Sequence, residues 1–288
     1  MRYVSLAISG LTLGSIYALV ALGFHLVFRT AGIIDFAQGE KVVVAGLVAL
    51  SLIGAGVPLP IALLLVLIGG LVAGVLYDYV VIRPTQRNGP TAAVIATVGA
   101  SLILGSGHAI IWGSGQTPFP RLTEGSFGLG SIEVEYQSLW IWGILAVIVA
   151  SLIYLMRRTR AGKGMVAAAS DPLAATTVGI NVRRTRITAF AIATALAAVA
   201  GVLVAPLTLA GGAIGGTLTI KGFTAAILGG IGSTRGVVLG GLLLGVLENV
   251  VGGSLPNGLR DPFVFAALLV ILLVAPTGLF GGRRGRLA

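Results

Sequence analysis

Ile33-Ile34-Asp35-Phe36-Ala37-Gln38-Gly39-Glu40, with Lys41 directly behind, sets two carboxylates, an amide and an ammonium into a chain that is otherwise almost continuously apolar. On one side an uncharged run reaches from Tyr3 to Phe28 apart from His25; on the other, Val42 to Leu76 carries no charge at all. A carboxylate at the bilayer centre costs about 2.5–3.5 kcal/mol on insertion scales, so two of them facing lipid are excluded. Two readings stay open. One is a wet loop between the first two helices, bracketed by Arg29 and Lys41. The other is a broken helix start whose polar groups border a translocation path; Ile33, Ile34, Phe36 and Ala37 are unusual choices for a solvated turn. If the stretch is helical, Asp35 and Gln38 share a face at i, i+3 and Glu40 points elsewhere, towards Lys41 or Arg29. Asp35 then meets either a substrate ammonium or a cation of the protein.

Working outward, 56% of the 288 residues are hydrophobic and 10% charged, against about 25% charged in soluble domains. A soluble fold of this size has too little interior to hide that surface. The chain is therefore expected to be an all-α polytopic membrane protein, a single transmembrane domain over 1–288, and its first helix is read as retained rather than cleaved. Its 44 glycines include the pairs Gly70–Gly74, Gly236–Gly240 and Gly241–Gly245, a spacing that lets helix backbones approach in lipid. Cysteine is absent, which excludes disulfides, thiol nucleophiles and cysteine-bound metal. The net charge of +10 sits mostly in short loops and at the C-terminus, where membrane topology rather than nucleic acid accounts for it.

Spans are expected near 4–28, 37–54, 58–80, 91–112, 138–156, 187–209 and 262–281, with Pro58 and Pro60 dividing one long apolar run. Between 217 and 252, Lys221 and Arg235 cut the run into two short pieces separated by a Gly-rich stretch holding Gly229, Gly230 and Gly232. Together with 33–41 this makes two discontinuous segments in a bundle of about eight helices, an arrangement found at transporter binding sites. The 157–186 connection carries seven basic residues against Asp171, so it and the basic C-terminal tail are expected on the cytoplasmic side. The acidic 113–137 connection then faces outward, and counting back puts the N-terminus outside.

Within that cytoplasmic loop, Asp171 is placed to cap a helix, Pro172 suits its first turn and Gly179 its end. A short, alanine-rich helix results, about 171–179, better suited to a groove on another protein than to a lipid surface.

Three stretches, GLTLGSIYALVALGFHLVFRTAGIIDFAQGE (10–40), AAASDPLAATTVGINVRRTRITAFAIATALAAVAGVL (167–203) and KGFTAAILGGIGSTRGVVLGGLLLGVLE (221–248), resemble the permease subunit of branched-chain amino-acid ABC importers of the LivH/LivM type. Family members commonly show IINFAHGE where this chain has Asp35 and Gln38. The resemblance implies that Ala168, Ala169, Asp171, Pro172, Ala174, Ala175, Val178 and Gly179 form the segment that couples to an ATPase. It implies a bacterial inner-membrane assembly of this permease, a second related permease, two ATP-binding subunits and a periplasmic solute-binding protein, without nucleic acid. ATP and Mg²⁺ would be used by those subunits, since no phosphate-binding loop occurs here: Gly162-Lys163-Gly164 lacks the upstream glycine and the Ser/Thr. Urea or short-amide permeases of the same superfamily are the near alternative, and an ion-coupled secondary transporter the distant one.

Substrate-path candidates are Asp35, Phe36, Gln38, Gly39, Glu40, Gly229, Gly230, Gly232 and Glu248. His25 and His108 are expected to make interhelical hydrogen bonds rather than a metal site. Asp78, near Arg83, reads as structural, and Gly211, Gly212, Gly215 and Gly216 as a flexible outer turn. No HExxH motif or nucleophile–histidine arrangement suggests an enzyme.

Overall fold

A computed structural model describes residues 2–253 except 122, 124, 130, 131 and 209, with scattered positions between 262 and 280. The helix expected at 262–281 and the basic tail lie outside the described residues. Among those residues the order is α1 (Arg2–Ala31), α2 (Gln38–Gly54), α3 (Leu59–Tyr77), a π turn (Asp78–Ile82), α4 (Arg83–Thr85), α5 (Pro90–Trp112), β1 (Gln116–Thr117), β2 (Ser126–Leu129), β3 (Ile132–Glu135), α6 (Tyr136–Arg158), α7 (Arg160–Ser170), α8 (Pro172–Thr177), α9 (Val182–Thr208), β4 (Ala210–Gly211), α10 (Ile214–Gly229) and α11 (Thr234–Gly252). The chain is an α-helical, multi-pass membrane protein. Six helices among the described residues are long and apolar enough to cross a membrane. With 17 residues, about 25 Å of rise, α2 falls short of the ~30 Å hydrocarbon core, and α10 is shorter still.

Two compact units emerge, one of residues 1–25, 121–146 and 221–288, the other of 26–120 and 147–220. In the first, Gly10 and Gly14 of α1 lie against α11. A Cβ on Gly14 would stand 2.8 Å from the Gly241 carbonyl, and one on Gly10 2.7 Å from Val246 Cα, so neither position admits a side chain. Glycines also fuse α10 to α11, where Gly229 and Gly240 meet backbone directly. The break between these two helices falls at 230–233; Lys221 lies inside α10 rather than ending it, and α11 reaches crossing length. Strands β2 and β3 form an antiparallel hairpin.

The second unit is built around α9, whose residues from Ala189 to Ala205 are almost all buried. Alanine and glycine keep its backbone close to α2 and α3: Gly74 faces Ala191, Gly70 faces Ala198, and Gly46 faces Gly201. Phe190, Leu26, Ile33, Ile82 and Met165 fill one core cluster, and Val43, Leu47, Val66, Phe119 and Val202 another. By contrast α3 and α5 carry exposed Leu64, Ile68, Leu102, Ile103 and Ile110, the apolar surface expected towards lipid. Strand β1 pairs antiparallel with β4, a connection that no sequence signal suggests. Gly211 and Gly212 adopt positive φ there, whereas Gly215 and Gly216 are helical residues of α10 and not part of a turn.

Candidate functional site

Helix α1 ends at Ala31 and α2 begins at Gln38, so the stretch 33–37 is a true interruption. Such a break in a membrane needs new partners for its backbone. Two threonines supply them. Phe36 N–H donates to Thr97 Oγ1 of α5 (3.2 Å), and Gly39 N–H donates to Thr219 Oγ1 of α10 (3.0 Å). Within the break, Ala37 N–H donates to Asp35 Oδ1 (3.1 Å) and Gln38 N–H to the Asp35 carbonyl (3.2 Å). Neither threonine stands out in the sequence; a hydroxyl inside an apolar helix is the one available signal.

Asp35 is fully buried and fully partnered. Lys41 Nζ donates to its Oδ2 at 2.5 Å, and the Tyr77 hydroxyl to its Oδ1 at 2.8 Å. The ammonium also lies over the Tyr77 ring, 3.6 Å from its centroid. Of the two partners weighed from sequence, the structure provides the protein cation. Because 33–37 is not helical, Asp35 and Gln38 do not share a helix face. Gln38 instead donates through Nε2 to the Ala193 carbonyl at 3.0 Å.

Glu40 pairs with neither Lys41 nor Arg29. Its Oε2 stands 3.4 Å from His108 Nε2 of α5, and no aligned hydrogen bond reaches that oxygen. A Cβ on Gly215 of α10 would overlap the carboxylate, and one on Gly105 of α5 would touch it at 3.5 Å. Both glycines thus open the space Glu40 occupies. His108, expected as a hydrogen-bonding residue, is the carboxylate's neighbour.

The other candidates are held elsewhere. Glu248 accepts from Lys221 at 2.7 Å, inside the first unit. In the same unit Gly229 packs on Gly236, and Gly230, at φ +90°, makes the turn before α11. A side chain at Gly232 would meet nothing. His25 joins the α10–α11 turn, with Nδ1 2.6 Å from the Ile231 carbonyl and Nε2 3.0 Å from Thr234 Oγ1. Asp78 pairs with Arg186 (2.6 Å) rather than Arg83, and Arg186 also donates to Gln86.

In the basic connection, Asp171 accepts from Leu173 N–H and Ala174 N–H at 2.9 and 3.0 Å and so caps α8. Gly179, at φ +82°, follows its end. The preceding α7 adds a helix where the sequence suggests only a connection; Thr159 caps it by accepting from Gly162 N–H, which makes Gly162-Lys163-Gly164 helical. Ala168 and Ala175 are buried and face the chain itself. Ala169, Asp171, Pro172, Ala174, Val178 and Gly179 are exposed, and Leu173, at 81% exposure, is the largest apolar group there. Among the described residues no group of three or more His, Asp and Glu could hold a metal ion.

Residues 6–275 match the family model described as "Branched-chain amino acid transport system / permease component". The chain is 35% identical to the high-affinity branched-chain amino acid transport system permease protein LivH of Salmonella typhimurium, over 95% of this chain and 94% of that protein. It is 31% identical to BraD of Pseudomonas aeruginosa, a permease protein of a system with the same description, over 97% and 96%. Among solved structures it resembles PsaBC from Streptococcus pneumoniae in complex with Fab, with a TM-score of 0.53, 15% identity, and coverage of 96% of this chain and 93% of that one. At that identity the likeness concerns the fold alone.

Proposed function

This chain belongs to the family of branched-chain amino acid transport permease components, and from that premise we propose that it is the translocating subunit of an ATP-binding cassette importer for branched-chain amino acids. The assembly comprises this permease, a related second permease, two ATP-binding subunits that use ATP and Mg²⁺, and a periplasmic solute-binding protein. It sits in the bacterial inner membrane, with 157–186 and the C-terminus cytoplasmic. The observation that carries the coupling role is α8: a capped helix turned outward, with Leu173 and Val178 exposed on a chain that has no nucleotide loop. A helix so presented fits a groove on a partner. Docking uses Leu173 with Ala169, Pro172, Ala174 and Val178, while Ala168 and Ala175 hold the segment to its own chain.

The path is assigned to the start of α2, around Gln38, Gly39 and Glu40. Asp35 and Lys41 hold the break open, and Gly229 and Gly230 serve helix packing and turning. Both acids that an ion-coupled mechanism would titrate, Asp35 and Glu248, already have a lysine, which supports the importer over that alternative.

Purification of the chain from its host in mild detergent tests the assignment. An ATPase should accompany the wild-type chain and be lost from Leu173→Glu, a surface change that leaves folding intact. Recovery of the chain alone, still moving leucine into ATP-free vesicles, would overturn the reading.

A further inference from the structure

Four carboxylates are buried among the helices of the described residues, and three have a cation in contact. Asp35 has Lys41 at 2.5 Å, Asp78 has Arg186 at 2.6 Å, and Glu248 has Lys221 at 2.7 Å. Glu40 has only His108, at 3.4 Å and out of hydrogen-bond alignment. Its side chain is 11% exposed, so water reaches it little. A buried carboxylate without counter-charge is costly, and the cost is relieved when a cation arrives.

The surroundings say what kind of cation. His108 is 5% exposed, and its Nδ1 also lacks a hydrogen-bond partner. In a neutral imidazole one nitrogen donates and the other accepts. With Nε2–H turned to the carboxylate, Nδ1 is left as an acceptor. The room that Gly105 and Gly215 leave is filled by the Glu40 carboxylate itself, and Nδ1, directed away from it, is a second buried acceptor without a partner. Glu40 lies in the first turn of α2 and abuts the first turn of α10, and helix N-termini favour an ionised carboxylate beside them. A ligand that brings N–H donors and one positive charge satisfies the carboxylate, whose Oε2 lacks a hydrogen bond.

We propose that Glu40 and His108 form a transient seat for the α-ammonium of the amino acid during translocation. This rests on the importer reading and adds to it the group that recognises the amino-acid head within the permease. The pairing explains why this carboxylate, unlike the other three, has no lysine or arginine. A permanent cation would have to be expelled before each turnover.

The test is uptake of radiolabelled leucine by the complete importer reconstituted in proteoliposomes, with ATP inside and loaded solute-binding protein outside. Glu40→Gln keeps the shape and removes the charge. It should lower the maximal uptake rate by about 30-fold or more, the size expected when one member of a buried charge pair is neutralised. The binding-protein concentration at half-maximal uptake and the melting temperature of the complex should stay at wild-type values. Glu40→Asp, which retains the charge, should recover most of the rate. Gly105→Ala fits without touching backbone and narrows the seat, so it should slow uptake in a complex that melts no lower than wild type. Wild-type uptake by Glu40→Gln overturns the seat. Loss of assembly in Glu40→Gln together with full uptake by Gly105→Ala assigns Glu40 to structure and also overturns it. Uptake that requires a sodium or proton gradient gives the missing charge to an ion and overturns the seat as well. A wild-type complex that moves no amino acid overturns the importer reading itself, a result separable from the others because it needs no variant.

Discussion

Asp35 and Glu40 stand at the two ends of one short stretch, buried in the same unit, and have opposite surroundings. Asp35 has every oxygen occupied by Lys41, Tyr77 and its own backbone turn. Glu40 has one loose contact to a histidine and glycines on two sides. A carboxylate that fixes a fold is surrounded by donors, and Glu40 is not. Burial alone does not separate the two roles. What separates them is how much bonding capacity the fold leaves unused.

The largest expected effect breaks the Asp35 side. Lys41→Met strands a fully buried carboxylate and should destabilise the protein by about 3–5 kcal/mol. Thermal unfolding in detergent reads it as a marked fall in melting temperature. Asp35→Asn with Lys41→Met removes both charges and should restore much of the loss. A double variant as unstable as the single one would mean that the pair does not act as a unit. Next in size is Thr219→Val, which leaves Gly39 N–H buried without its acceptor at a cost of about 1–3 kcal/mol. Glu40→Gln should change stability by less than about 1 kcal/mol, since no hydrogen bond is broken, while reducing transport as described above. If it destabilised as much as Lys41→Met, the contrast between the two carboxylates would fail. Smallest is Leu173→Glu, expected within about 0.5 kcal/mol of wild type in stability because the side chain stands in solvent. Its effect should appear only in ATPase recruitment.

Much of this architecture is legible in the sequence because its signals are local. Proline at 58 and 60, the polar interruption at 33–41, and the Asp171-Pro172 cap with Gly179 mark their boundaries by short-range sterics and hydrogen bonding. The helix Arg160–Ser170 is amphipathic, with Gly162, Met165 and Ala168 on its buried face, but small residues and neighbouring arginines mask that pattern in the sequence, and its threonine cap is its plainest mark. At the candidate site, sequence locates the polar stretch but not its partners. Asp35 reaches Lys41 because the chain between them is not wholly helical, a geometry that i, i+4 reasoning does not reach. His108, Thr97 and Thr219 come from helices 60 to 180 residues away in the chain. Long-range approach of that kind is set by glycine and alanine packing around α9, and single residues do not announce it.

Gly39 lies so tightly on α10 that a side chain there would meet the Gly215 carbonyl and Thr219 together. Position 39 is therefore closed to every residue that carries a Cβ, and a side chain at position 215 would have to displace the Glu40 carboxylate. Two short helices joined this way cannot drift apart one substitution at a time. The starts of α2 and α10 therefore form a single piece of backbone, and substitutions that leave that piece in place fall on the side chains around it.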